Sequence, residues 1–238
     1  MLKKSLLCSL FFANILFASD SEVNVYSQRH YDSDKALFKK FEEKTGIKVN
    51  LITAKAEELV SRLSIEGANS PSDILITADI GNLYEAKERD LLQGVSSKTL
   101  EKNIPAHLRD EGGKWFAITK RARLFVYNPK TINPAHLDDY FSLTKPEFKG
   151  KVITRSSTNA YNKSLLASII AHHGEEKSLE FVKGLVNNFA RDPKGADKDQ
   201  IRAVASGEAD IAIVNSYYLG VMANSGDKVD EEIAKEVK

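Results

Sequence analysis

Blocks of apolar residues separated by turn formers run along the chain and read as strands and helices in alternation. Residues 23–27 form a short β-rich run. Asp32-Ser33-Asp34 then offer helix N-caps, Ala36, Leu37, Phe38 and Phe41 make an apolar stripe, and Gly46 closes the helix. Residues 47–52 read as a second strand and residues 56–66 as a helix with Leu59, Val60 and Leu63 on its apolar face. Pro71-Ser72-Asp73 is a turn before a buried strand over residues 74–76, and a further helix follows around residues 83–89. This βαβαβ rhythm predicts a parallel-sheet lobe. The β-rich run of residues 115–127, ending at Asn128-Pro129, is too long for one ordinary strand and reads as a crossover between lobes. A second α/β region follows: a strand at 151–154, helices at 164–171 and 178–186, a short helix at 201–205 closed by Gly207, and a strand at 210–214 that runs into Asn215-Ser216-Tyr217-Tyr218.

Composition changes the picture in a few places. The 238 residues suit one large domain or two small ones. Lys and Arg number 34 against 33 Asp and Glu, so there is no basic excess of the kind nucleic-acid binders carry. One Cys excludes a disulfide framework and a cysteine-built metal cluster. The first 18 residues read as a secretory signal peptide: Lys3 and Lys4, then an apolar stretch over 6–17 broken only by Ser9 and Asn14, then Ala18-Ser19-Asp20. A lipoprotein is disfavoured because Leu7 stands before Cys8, where a small residue is expected. Cleavage near Ala18 would remove two lysines, no acid and the cysteine, leaving a formal charge of −1 and a thiol-free chain suited to the periplasm. No Walker-type phosphate loop is present, so ATP-dependent chemistry is not expected.

In open α/β sheets, ligands collect at the carboxyl ends of strands. Three such ends carry Arg29-His30-Tyr31, Asn159-Ala160-Tyr161 and Tyr217-Tyr218, which gathers four tyrosines and one histidine. Phenolate oxygen is a hard, anionic donor matched to a hard, highly charged cation, and a bound metal favours the deprotonated ligand. Zinc takes Cys, His or carboxylate, and calcium takes carboxylates and carbonyls. The set therefore points to Fe(III). Four phenolates with Fe(III) leave one negative charge, which calls for a nearby cation, and Arg29, Arg121 and Arg123 are candidates.

At these residues the sequence resembles the periplasmic ferric-ion-binding proteins of bacterial ABC iron importers. The resemblance covers nearly all of the chain after the signal segment. It is carried by Val25-Tyr26-Ser27-Gln28-Arg29-His30-Tyr31, Thr45-Gly46-Ile47-Lys48-Val49, Asn69-Ser70-Pro71-Ser72-Asp73-Ile74, Lys120-Arg121-Ala122-Arg123 and Asn215-Ser216-Tyr217-Tyr218. It implies a two-lobed class II periplasmic binding protein fold of class α/β, with lobe 1 over residues 19–120 and lobe 2 over 121–238. It implies a monomer that captures Fe(III) between the lobes and delivers it to an inner-membrane ABC permease. The paired tyrosines map to Tyr217 and Tyr218, and the histidine of the first strand loop maps to His30. Where some members place a carboxylate ligand this chain has Ala78, and Tyr31 and Tyr161 stand in. That matches the subclass using one His and several Tyr without an obligatory synergistic anion. Arg121 is favoured as the charge-balancing residue. Family members usually continue past the point where this chain stops, so it looks C-terminally truncated.

Other conspicuous residues have plainer readings. His172-His173 are expected near a helix C-terminus, Glu57-Glu58 at a helix start, and Trp115 in packing. Two rival functions remain open. One is the same fold with tyrosines lining a pocket for an organic or oxyanion solute. The other is a periplasmic enzyme, which lacks a G-x-S-x-G elbow and a cysteine nucleophile.

Overall fold

The computed structural model describes residues 21–238. The expected signal peptide lies outside them. The chain divides into two compact units. One comprises the residues up to Ala78 with Glu88–Leu91, and the other Asp79–Lys87 with Leu92–Lys238.

The first unit is built on a parallel three-stranded sheet. Its strands are β1 (Glu22–Ser27), β2 (Lys48–Thr53) and β3 (Ile74–Ile76), in the order β2-β1-β3, as the βαβαβ pattern predicts. Helix α1 (Asp32–Thr45) follows β1 and ends at Gly46, whose φ of 72° is the left-handed conformation that glycine adopts without penalty. The expected Asp and Ser caps are not used. Tyr31 is the N-cap residue and makes no side-chain cap bond, since its phenol oxygen is too far from the backbone to cap as Ser or Asp does, and Asp34 in the first turn is engaged by the Arg29 guanidinium.

Packing in this unit is uneven. Helix α2 (Ala56–Glu66) buries Ala56, Leu59, Val60 and Leu63, and a small core forms from Tyr26, Leu59 and Leu63. The hydroxyl of Tyr26 donates to the Glu66 carboxylate at 2.9 Å, and Arg62 lies over its ring. The apolar stripe of α1, by contrast, is not packed: α1 buries no residue, and Leu37 is 64% exposed. The strand over residues 74–76 was expected to be buried, yet Ile74 is 46% exposed. The cause is position: β3 is a three-residue strand at the sheet edge, paired with β1 alone.

The second unit begins with α3 (Ile80–Glu88) and α4 (Lys98–Asn103) and then builds a second sheet. Its strands β4 (Arg123–Tyr127), β5 (Val152–Ile153) and β6 (Ile211–Asn215) lie in the order β4-β6-β5. β6 is antiparallel to β4 and parallel to β5. Only the end of the β-rich run at 115–127 is a strand. The two helices expected at 164–171 and 178–186 are both present: the helical segment α5 (Ala160–Asn187) is divided between them at Gly174, where φ is 79° and ψ 169°. Helices α6 (Asp197–Ala205), α7 (Tyr217–Ala223) and α8 (Lys228–Glu236) complete the unit.

β6 is buried at all five positions, as a central strand covered on both faces must be. Its residues alternate between two cores. Ala212 and Val214 join Val126, Ile201, Val204 and Met222, while Ile211 and Ile213 join Val152, Ile169, Phe181 and Leu185. The α6–α8 contact adds a carboxylate clamp: Arg202 and Lys198 both bind Asp230 and hold its carboxyl below the usual carboxylate range. No described helix is long and apolar enough to cross a membrane.

The uneven packing predicts a contrast in the first unit. Leu59→Ala should destabilise it by about 2–5 kcal/mol, the cost of emptying a packed site. Leu37→Ser should stay within about 0.5 kcal/mol, as at other exposed positions. Hydrogen exchange of the β1 amides measures both, and equal losses would show that α1 is packed.

Candidate metal centre

In the first unit the site is built at the end of β1. The Ser27 hydroxyl is buried, donates to the Arg29 carbonyl at 3.1 Å and accepts from the Arg29 N–H at 3.0 Å. This fixes the chain as it leaves the sheet. Gln28 ties the end of β1 to the end of β3: its N–H donates to Ile76, and its Oε1 accepts from the Ala78 N–H at 2.8 Å. The next two residues are His30 and Tyr31. Their rings stack with centroids 5.0 Å apart, and Tyr31 is 43% exposed. The Arg29 guanidinium carbon lies 5.3 Å from the Tyr31 ring centroid while the same group grips Asp34. The sequence-predicted His30, Tyr31 and Arg29 thus stand side by side at the start of α1.

In the second unit the topology gathers residues at one sheet edge. Because β5 and β6 are parallel, the segments leaving their carboxyl ends depart from the same edge. After β6 comes Ser216 and then Tyr217 and Tyr218 at the start of α7, with ring centroids 4.4 Å apart and planes 29° apart. Tyr218 also packs on the core that contains Val214 and Met222. After β5 the chain reaches Asn159, which caps α5 by accepting the Tyr161 N–H at 3.0 Å. Antiparallel β4 starts at this edge, with Arg123 paired to Asn215.

Three guanidiniums surround the Tyr161 ring. Their carbons lie 4.3 Å (Arg121), 5.3 Å (Arg155) and 5.9 Å (Arg123) from its centroid. Two buried carboxylates oppose them. Asp197, with no exposed surface, accepts from Arg123 at 2.7 Å, from Arg155 at 2.6 Å and from the Asn215 N–H at 2.9 Å. Asp79 accepts from Arg121 at 2.7 Å. Cationic groups thus lie against the Tyr161 ring, each tied to a carboxylate. Burial pulls the Arg123 guanidinium below its ordinary value, and the neighbouring Asp197 carboxylate opposes that shift. Arg123 also donates to Asn162 at 2.7 Å, and Asn162 donates on to the Arg155 carbonyl at 2.7 Å. The Nε atoms of Arg123 and Arg155 and the Nδ2 of Asn215 are buried without a hydrogen-bond partner among the described residues.

Arg155, Asn162, Asp197 and Asp79 were not foreseen from the sequence. Asp197 reads as an ordinary acid at a helix start, and Asp79 sits one residue past the alanine that drew attention. Among the described residues no group of three or more His, Cys, Asp or Glu could hold a metal.

A family model described as bacterial extracellular solute-binding protein matches residues 69–234. The chain belongs to that family. Iron uptake protein A1 of Synechocystis sp. is 50% identical over 216 residues, covering 91% of this chain and 60% of that protein. The chain thus spans about three fifths of the length of the curated relatives it matches. Among solved structures, the ferric binding protein from Campylobacter jejuni is 54% identical with a TM-score of 0.85, covering 90% of this chain and 68% of the other. A Trichodesmium protein solved with iron and citrate is 46% identical with a TM-score of 0.87, covering 92% and 69%. The chain therefore has the α/β, two-lobed fold of these solute-binding proteins.

The buried network yields a stability prediction. Asp197→Ala leaves two guanidiniums without their shared anion and should cost about 3–5 kcal/mol, as when one partner of a buried ion pair is removed. Urea unfolding measures it, and a loss below about 1 kcal/mol, the level of an exposed pair, would show that the network is solvated.

Proposed function

We propose that the protein is a periplasmic solute-binding protein that captures Fe(III) and delivers it to an inner-membrane ABC permease, acting as a monomer and without catalysis. The ligands are His30 and Tyr31 from one lobe and Tyr161, Tyr217 and Tyr218 from the other, with the lobes taken as residues 19–120 and 121–238. Arg121, Arg123 and Arg29 balance the charge of the phenolates.

One observation carries this reading. The stacked Tyr217–Tyr218 pair and the arginine-flanked Tyr161 depart from the same edge of one sheet. A phenol in a greasy pocket needs no cations around it. A phenolate bound to Fe(III) does, since four phenolates and the ion leave a negative charge in a partly desolvated place. The names of the relatives point the same way, as they concern iron uptake and ferric binding. An organic or oxyanion solute on the same fold is the second reading, and the buried, unpartnered nitrogens of Arg123, Arg155 and Asn215 are the observation in its favour.

Ferric loading separates the two. A visible tyrosinate–iron charge-transfer band should appear with Fe(III), and a protein that stays colourless would favour the organic solute. Tyr217→Phe and Tyr218→Phe should each change the band and weaken ferric binding by about tenfold or more, since loss even of an outer partner of a ligand costs that much. Unchanged affinity in both variants would remove the paired tyrosines from the ligand set.

The anion gives an independent test. With Ala78 where a carboxylate ligand could stand and two further phenolates in its place, iron should load in buffer free of bicarbonate, phosphate and citrate. If loading fails there and one of these anions restores it, the five-residue ligand set is incomplete.

A further inference from the structure

Asp79 is the first residue of the second unit, directly after Ala78. Its side chain is only 7% exposed. The carboxylate accepts hydrogen bonds from the Arg121 guanidinium at 2.7 Å, from the Ser164 hydroxyl at 2.7 Å and from the Gly81 N–H at 3.0 Å. Each contact has a distinct effect. Gly81 is in the first turn of α3, so its bond fixes the carboxylate to a rigid element. Ser164 lies three residues after Tyr161 on α5, and side chains three apart share a helix face. Arg121 is the guanidinium nearest the Tyr161 ring, at 4.3 Å from its centroid.

We propose that Asp79 is a positioning residue of the metal centre, holding Arg121 over Tyr161. The proposal rests on the reading of Tyr161 as a ferric ligand. A free arginine side chain carries about 2 kcal/mol of rotamer entropy. Arg121 is 26% exposed, so solvent competes for it, and a buried carboxylate anchored to two helices holds it in one place. Ser164 makes the arrangement specific: the same carboxylate is bound to the helical turn that carries Tyr161, so cation and ring are fixed relative to each other. Arg123 and Arg155 reach the ring from a different anchor, Asp197. The surroundings of Tyr161 are thus set by two separate carboxylates.

The test compares Asp79→Asn, Arg121→Gln, their double variant and Ser164→Ala with the unaltered chain. Asp79→Asn keeps the size of the side chain and an oxygen for Gly81 and Ser164 while removing the charge that holds Arg121. The readouts are the position of the ferric charge-transfer band and iron retention against citrate as competing chelator. A role confined to folding would leave the band of the folded, loaded protein in place. Asp79→Asn and Arg121→Gln should both shift the band and lower retention by about 10–100-fold, the range for outer partners of metal ligands. The double variant should be no worse than Arg121→Gln alone, because Asp79 acts through Arg121. Ser164→Ala should shift the band in the same direction by less, and it decides the matter if Asp79→Asn does not fold. A band and retention unchanged in Asp79→Asn, additive losses in the double variant, or a Ser164→Ala protein identical to the unaltered one would each overturn the proposal. Failure of the ferric reading looks different: the unaltered chain would then show no band at all.

Discussion

The geometry at the sheet edge of the second unit depends on one buried carboxylate. Asp197, the first residue of α6, binds Arg123 at the start of β4, Arg155 beyond β5 and the backbone of Asn215 at the end of β6. Through Arg123 it also reaches Asn162 in the first turn of α5. Five segments that the chain brings together from far apart in sequence are thereby locked at the ends that bear the candidate ligands. Such an ion network is a poor source of net stability, because desolvating three charges is expensive. Its value is in fixing directions: one Asp197 oxygen takes Arg123 and the Asn215 N–H, the other takes Arg155, and the second arm of the Arg123 fork reaches Asn162 and the Ile213 carbonyl. The adjacent cores, which share β6 between them, supply the stability that the network itself does not.

The two units use the same chemistry at different strength. In the second, two carboxylates tie down three arginines around one aromatic ring. In the first, the pair of Arg29 with Asp34 lies beside Tyr31, and both its members are part-exposed. The second unit therefore presents its tyrosines on a stiff frame, and the first presents His30 and Tyr31 on the rim of a thin sheet.

Much of the fold was legible because local signals and tertiary packing agreed. The parallel β2-β1-β3 sheet, the limits of α2 and the Gly46 stop all follow from patterning and turn chemistry. The sequence misled where burial depends on what lies opposite. The stripe of Leu37 and Phe41 has helical spacing, but spacing cannot say whether anything covers it. The candidate ligands were legible because phenolates at strand ends are unusual chemistry in a suggestive place. Their supports were not. Asp197 and Asp79 look like routine acids at helix starts, and only the fold reveals that one is wholly buried between two arginines and the other joins Arg121 to the Tyr161 helix.

The difference in core size has a kinetic side. Among the described residues the core cluster of the first unit has three buried members, whereas β6 is enclosed on both faces by two larger clusters. Sub-global opening draws on the least-packed region first. As conditions worsen, the loop bearing His30 and Tyr31 should lose its shape while Tyr161, Tyr217 and Tyr218 keep theirs. The chain would then pass through a half-folded form that still displays an ordered cluster of phenols, so the order in which it comes apart is written in the inequality of its two cores.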